Sequence, residues 1–147
     1  MATGSVYDTF KDYLTTTWGA TYPVRDWEEI EILLQQEADP WLALEDASGS
    51  QQLKSIGTPD QNHAEDVGFV IIHGFVKSTG KLVAARTILD AVRADLQFRT
   101  FSQTATERLR VLTIAPPISG IIHDGLWHSM ILTVDFSHQY IAATAVS

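Results

Sequence analysis

Val6, Phe10, Tyr13, Leu14 and Thr17 follow the spacing of one helical face, with Asp8, Lys11 and Asp12 elsewhere. The pattern predicts a helix over Ser5 to Trp18, with Gly19 as its stop. Tyr22 to Trp27 reads as a short extended segment, because Pro23 biases its predecessor toward β. The run EEIEILLQQE, Glu28 to Glu37, has helical propensity but no decisive period, and Asp39-Pro40 ends it. Trp41 to Ala47 reads as a strand. DASGS, Asp46 to Ser50, is a turn signal, and Gln51 to Ile56 reads as the returning partner strand. Gly57 to Asp66 is a polar loop.

Val67 to Val76 is apolar on both alternate sets, Val67, Phe69, Ile71 and Phe75 on one and Val70, Ile72 and Val76 on the other. Such a strand is expected to be covered on both faces. Leu82, Ala85, Leu89, Val92 and Leu96 then step along one face of a helix, with Lys81, Arg86, Asp90 and Arg93 off the stripe. Ser102 to Glu107 reads as a loop, and Glu107 to Ala115 as a strand stopped by Pro116-Pro117. Leu126 to Gln139 is a last long strand. Its even positions, from Leu126 to Phe136, are mostly apolar, and its odd positions, which include Trp127, are more polar. The order of helix, strands, helix, strands predicts an α+β domain. Its mostly antiparallel sheet carries the central helix on one face, beside an N-terminal helix.

The chain has 147 residues, a length that suits one domain with a core of its own. Its mixture of 45% hydrophobic and 19% charged residues is that of a globular protein and argues against disorder. The absence of cysteine removes disulfides and thiolate metal sites. No apolar stretch reaches the roughly 20 residues of a membrane helix. The opening MATGSVYDTF has neither the basic start nor the apolar run of a signal peptide, so a protein made and used inside a cell, or carried in a particle assembled there, is expected. The formal charge of −8 argues against a general nucleic-acid binder.

Three stretches resemble chemical sites. HGFVKSTGKL, His73 to Leu82, has the layout of a phosphate-binding loop, but five residues separate Gly74 from Gly80, and Leu82 stands where a magnesium-binding hydroxyl is needed. The loop works by curling a fixed number of backbone N–H groups around phosphate, so its length is part of its chemistry. A turn followed by a helix capped by Ser78 or Thr79 is the better reading. DQNH, Asp60 to His63, has the residue types of hot-dog-fold thioesterases and hydratases, but compressed and placed in a loop before a strand, where solvated polar residues are the simpler account. Of the five histidines, His128 and His138 share a strand face but lie roughly 33 Å apart at strand rise, too far to chelate one ion. His73 alternates with Ile71 and Phe75, as a hydrogen-bonded core histidine would; His123 and Asp124 are neighbours in a loop with no ligand spacing nearby, and His63 belongs to the DQNH stretch. Neither a catalytic residue nor a cofactor or metal site is assigned.

The order of motifs across nearly the whole chain carries a different clue. It runs from the N-terminal helix through YPVRDW, PWLALEDA, IGTPDQNHAEDVGFVIIHGFV and the helix KLVAARTILDAV to RLRVLTIAPPISG and HDGLWHSMILTVDF. In this order and spacing the chain resembles the small tail terminator proteins of long-tailed bacteriophages. Glu28 to Glu37 is longer than that family's usual loop. The resemblance implies a sheet flanked by helices, no enzymatic activity and no cofactor. It also implies a virion protein of the tail and neck, assembled in the host cytoplasm. Such proteins form a hexameric ring on the head-proximal end of the tail tube. The ring stops tube polymerisation and offers a surface to the head's neck proteins. The charge of −8 on each chain predicts that DNA passes through the channel of such a ring without specific binding. A head-to-tail ring that closes leaves only its two faces for stacking. Trp18, Trp27, Trp41 and Trp127 are candidates for interface anchors as well as for core, since aromatics concentrate in interface cores. Trp27, Trp41, Trp127 and the loop residue Asp124 are the chosen interface candidates. The acidic loops at Asp60 to Asp66 and around Asp124 are candidates for the channel wall. A head-side stopper or other neck protein, and a small hot-dog-type acyl-thioester enzyme, are the rival readings.

Overall fold

The computed structural model describes residues 4–27, 40–55, 62–77, 82–104, 107–123 and 127–142. Glu28 to Glu37, the candidate cap at Ser78 or Thr79, and Asp124 lie outside them.

Helix α1 spans Gly4–Trp18. Val6, Phe10 and Leu14 recur at every fourth position and are buried against the sheet. Thr17, which the spacing places on this stripe, is exposed. Trp18, four positions after Leu14 and carrying far more apolar surface, packs against the core in its place. Gly19 closes the helix. Its N–H donates to the carbonyls of Leu14 (3.1 Å) and Thr15 (3.0 Å), and a Cβ there would lie 2.4 Å from the Thr15 carbonyl oxygen.

Strand β1, Val24–Asp26, lies parallel to β2, Trp41–Ser55, with Val24 opposite Leu42. Strand β3, Asn62–Val76, runs antiparallel to β2 along most of its length. The DASGS turn signal therefore does not fold back into a hairpin: β2 continues through it with a register shift between Asp46 and Gly49. A strand as long as β3 offers a partner to residues on both sides of the shift, so the small residues are used as a bulge. For the same reason the polar stretch Asn62 to Asp66 belongs to β3 and not to a loop.

Helix α2, Leu82–Leu96, buries Ala85, Ile88, Leu89, Val92 and Leu96. Strands β4 (Thr100–Thr104) and β5 (Glu107–Val111) pair antiparallel, so most of the expected loop at Ser102 to Glu107 is strand. Strand β6, Ile118–His123, precedes β7, Trp127–Ala142. The sheet order is β1-β2-β3-β7-β5-β4, with β6 also on β7. One edge of β7 pairs with β3; the other is shared in tandem, by β6 near Trp127 to Ile131 and by β5 near Phe136 to Tyr140. The result is an α+β fold with a mostly antiparallel sheet, an N-terminal helix and a central helix.

Strand β5 ends at Val111, four residues short of the expected Ala115. The backbone of Ile114 is claimed by α2 and its end: Arg93 Nε donates to the Ile114 carbonyl (2.7 Å), and the Ile114 N–H donates to Gln97 Oε1 (3.0 Å). Ile114 is fully buried, so these side chains replace the strand ladder as partners for its backbone. Two residues past α2, Phe98 adopts φ 63° and is 57% exposed.

The principal core lies between the helices and one sheet face. It joins Val6, Phe10 and Leu14 of α1 with Leu89 and Val92 of α2 and with Leu44, Ile72, Leu109, Leu132 and Val134 of the strands. Leu109 and Val111 sit in this core, so Arg108 and Arg110 between and before them point to the opposite face.

Candidate interaction face

The sheet face opposite the helices is only partly covered. On β3, alternation sends Val67, Phe69, Ile71, His73 and Phe75 to this face. His73 and Phe75 are buried, whereas Val67, Phe69 and Ile71 are half-buried. Ile131 and Thr133 of β7 pair with His73 and Ile71 and are also half-buried. Ile118 of β6, in register with Ile131, is 61% exposed. The expectation that this strand is covered on both faces therefore holds at one end only.

That end is closed by aromatic rings. Trp41 stacks on Phe75 with centroids 4.3 Å apart and meets Trp127 edge-on at 6.0 Å. Trp27, half-buried, lies over His73. His73 Nε2 donates to Glu45 Oε1 at 2.8 Å, the hydrogen-bonded core histidine that the alternation predicts. Lys77 Nζ sits 5.2 Å from the centroid of the Trp127 ring, within cation–π range.

The interface candidates are corrected accordingly. Trp41 and Trp127 are 0% and 1% exposed and belong to a core cluster with Ala43 and Phe75. They are core residues of the chain and present no surface to a partner. The more polar odd set of β7 misleads because its polarity lies farther along: Thr133, Asp135 and Gln139 stand where the face opens, whereas Trp127 stands where Trp41 covers it. Trp27 keeps a partly exposed ring.

At the far end, Arg108, Arg110, Leu112, Val67, Ser137 and Gln139 line a shallow depression of about 220 Å³. Arg108 pairs with Gln139 and Arg110 with Ser137 across β5 and β7. Both arginines are exposed, and among the described residues neither has an ion-pair partner. The signal that could have found them is short: in RLRV the apolar Leu109 and Val111 point to the core and leave two cations on one face.

The other candidate chemistry disperses. Gly74, the first glycine of the supposed phosphate loop, lies inside β3, paired with Leu42 and Met130, where its backbone belongs to a ladder. The backbones of Asn62 and His63 belong to strand β3, paired with Ala142 and Ile141 of β7, and not to a loop. Asp60 lies outside the described residues. His138 is buried and His128 half-buried. Among the described residues no three metal-ligating side chains converge, and no helix is long and apolar enough to cross a membrane.

Near β1, Lys11 Nζ lies 2.7 Å from Asp26 Oδ2, and the Tyr7 hydroxyl donates to the same carboxylate. Burial pushes the Asp26 carboxyl up, but the bonds from Lys11 and Tyr7, with the Lys11 charge, outweigh it and hold the group below its ordinary value. These contacts tie α1 to the parallel edge strand.

Comparison with known proteins finds no matching family model and no matching curated protein.

Proposed function

We propose that this chain is a structural assembly protein of the tail-terminator kind, closing the head-proximal end of a phage tail tube as a hexameric ring. The observation that carries the reading is the partly open sheet face, where an apolar stripe from Val67 to Ile71 and Ile131 leads to exposed Arg108 and Arg110. A monomeric enzyme has no need of such a surface, whereas a ring subunit needs two different surfaces that meet in a head-to-tail contact. The α+β architecture, a sheet with helices packed on it, agrees with the fold that the resemblance implies. The ring joins the tail tube protein on one side and neck proteins on the other, in the virion.

Electron microscopy of the purified protein, alone and with tail tubes, tests the reading. Rings of six at tube ends are expected, with tube growth stopped. Threefold or fivefold rings contradict the assignment, and twelvefold rings favour a head-side neck protein.

A further inference from the structure

We infer that the outer face of α1 in one subunit seats on the Arg108/Arg110 depression of the next, so that copies of this chain join through opposite faces of the sheet. The count of subunits rests on the ring reading above; the contact itself rests on charge and spacing.

Asp8 and Asp12 are exposed on α1, on the side away from Val6, Phe10 and Leu14. Neither has a cation within ion-pair distance among the described residues, since Lys11 beside them is engaged with Asp26. Arg108 and Arg110 lie across the sheet from this helix, because Leu109 and Val111 enter the core that α1 covers. The spacings match: residues four apart on a helix are separated by about 6 Å along its axis, and residues two apart on a strand by about 6.8 Å. Two carboxylates therefore face two guanidiniums in step, on the depression that both arginines line. Asp135, exposed on the same face of β7, forms no ion pair with either arginine.

A second copy fits better than a nucleic acid. The chain is acidic by eight charges, and a polyanion approaching two guanidiniums would meet that field, whereas a helix with two carboxylates brings a local match. The two surfaces are different and lie on opposite sides of one subunit, so each copy keeps a free surface until the chain of contacts closes.

The chain has no cysteine, so an introduced pair reports one contact. Asp12→Cys/Arg110→Cys and Asp8→Cys/Arg110→Cys cover the two directions in which the helix can cross the strand. Under mild oxidation at low salt, one of them is expected to give a ladder of disulfide-linked oligomers. Its yield should be at least tenfold that of the control Asp90→Cys/Arg110→Cys, with mass spectrometry placing the bond between the α1 cysteine and position 110. Adding Arg108→Glu to the productive pair should abolish the ladder, and then replacing the remaining α1 aspartate by Lys should restore it. Yields no higher than the control, or failure of the charge swap to restore them, overturn the proposal. So does a short duplex that binds the wild-type chain and loses binding in Arg108→Glu/Arg110→Glu without any cross-link. Sixfold rings at tube ends without the cross-link would leave the ring reading standing and remove this contact. A ladder closing at another number would do the reverse.

Discussion

Lys11 Nζ lies 2.7 Å from Asp26 Oδ2 and so links the first helix to the shortest strand of the sheet. Asp26 is held below its ordinary value in the fold. Its contribution to stability is therefore present above the unfolded carboxyl value of about 4 and lost as pH falls through the lower folded value. Asp26→Asn is expected to lower stability at pH 7 and to flatten the loss of stability on acidification below about pH 4. Urea unfolding at a series of pH values measures both. An unchanged acid limb would show that the ion pair contributes nothing.

Phe98 combines a left-handed backbone with an exposed ring. Such a conformation costs a non-glycine residue about 1–2 kcal/mol. Phe98→Gly should raise stability by about 1 kcal/mol, since glycine adopts the conformation without the Cβ clash but gains entropy in the unfolded chain. At this chain length that is a rise in Tm of roughly 2–4 °C. A fall in Tm by differential scanning calorimetry would mean that the ring packs better than its exposure indicates.

Trp127 is core in a single subunit. Trp127→Ala should destabilise the isolated chain by about 3–5 kcal/mol through lost burial and a residual cavity. Were the ring an interface anchor, the substitution would weaken association and leave monomer unfolding nearly unchanged. Chemical denaturation at a concentration where the chain is monomeric separates the two outcomes.

The Ile114 N–H is satisfied by Gln97 alone among the described contacts. Gln97→Ala should cost about 1–3 kcal/mol, the range for a buried group left unpaired. Gln97→Glu keeps an acceptor oxygen and should recover much of the loss. Equal destabilisation by both variants would move the effect away from this hydrogen bond.

No nucleotide binding is expected, given the five-residue gap between Gly74 and Gly80 and the placement of Gly74 within β3. Calorimetry with ATP or GTP and magnesium should show no heat of binding. Micromolar affinity abolished by Lys81→Ala would revive the phosphate loop.

Periodicity alone determined the two helices and the strands at Val67 to Val76 and Leu126 to Gln139, because each buries a face whose apolar residues recur at the element's own period. It also marked His73 as a core histidine. Tertiary pairing decided the rest. The turn signal at Asp46 to Ser50 became a bulge because β3 was long enough to pair on both sides of it. Strand β5 stopped at Val111 because Arg93 and Gln97, more than a dozen residues earlier, took the backbone of Ile114. Strand β6 carries too few alternating residues to stand out before β7 supplies its edge. The same limit governs the candidate face. A strand sequence shows which side chains point together, but cover comes from residues distant in the chain. Trp41 and Phe75 bury Trp127, while nothing described covers Arg108 and Arg110, although all three share the face opposite the helices.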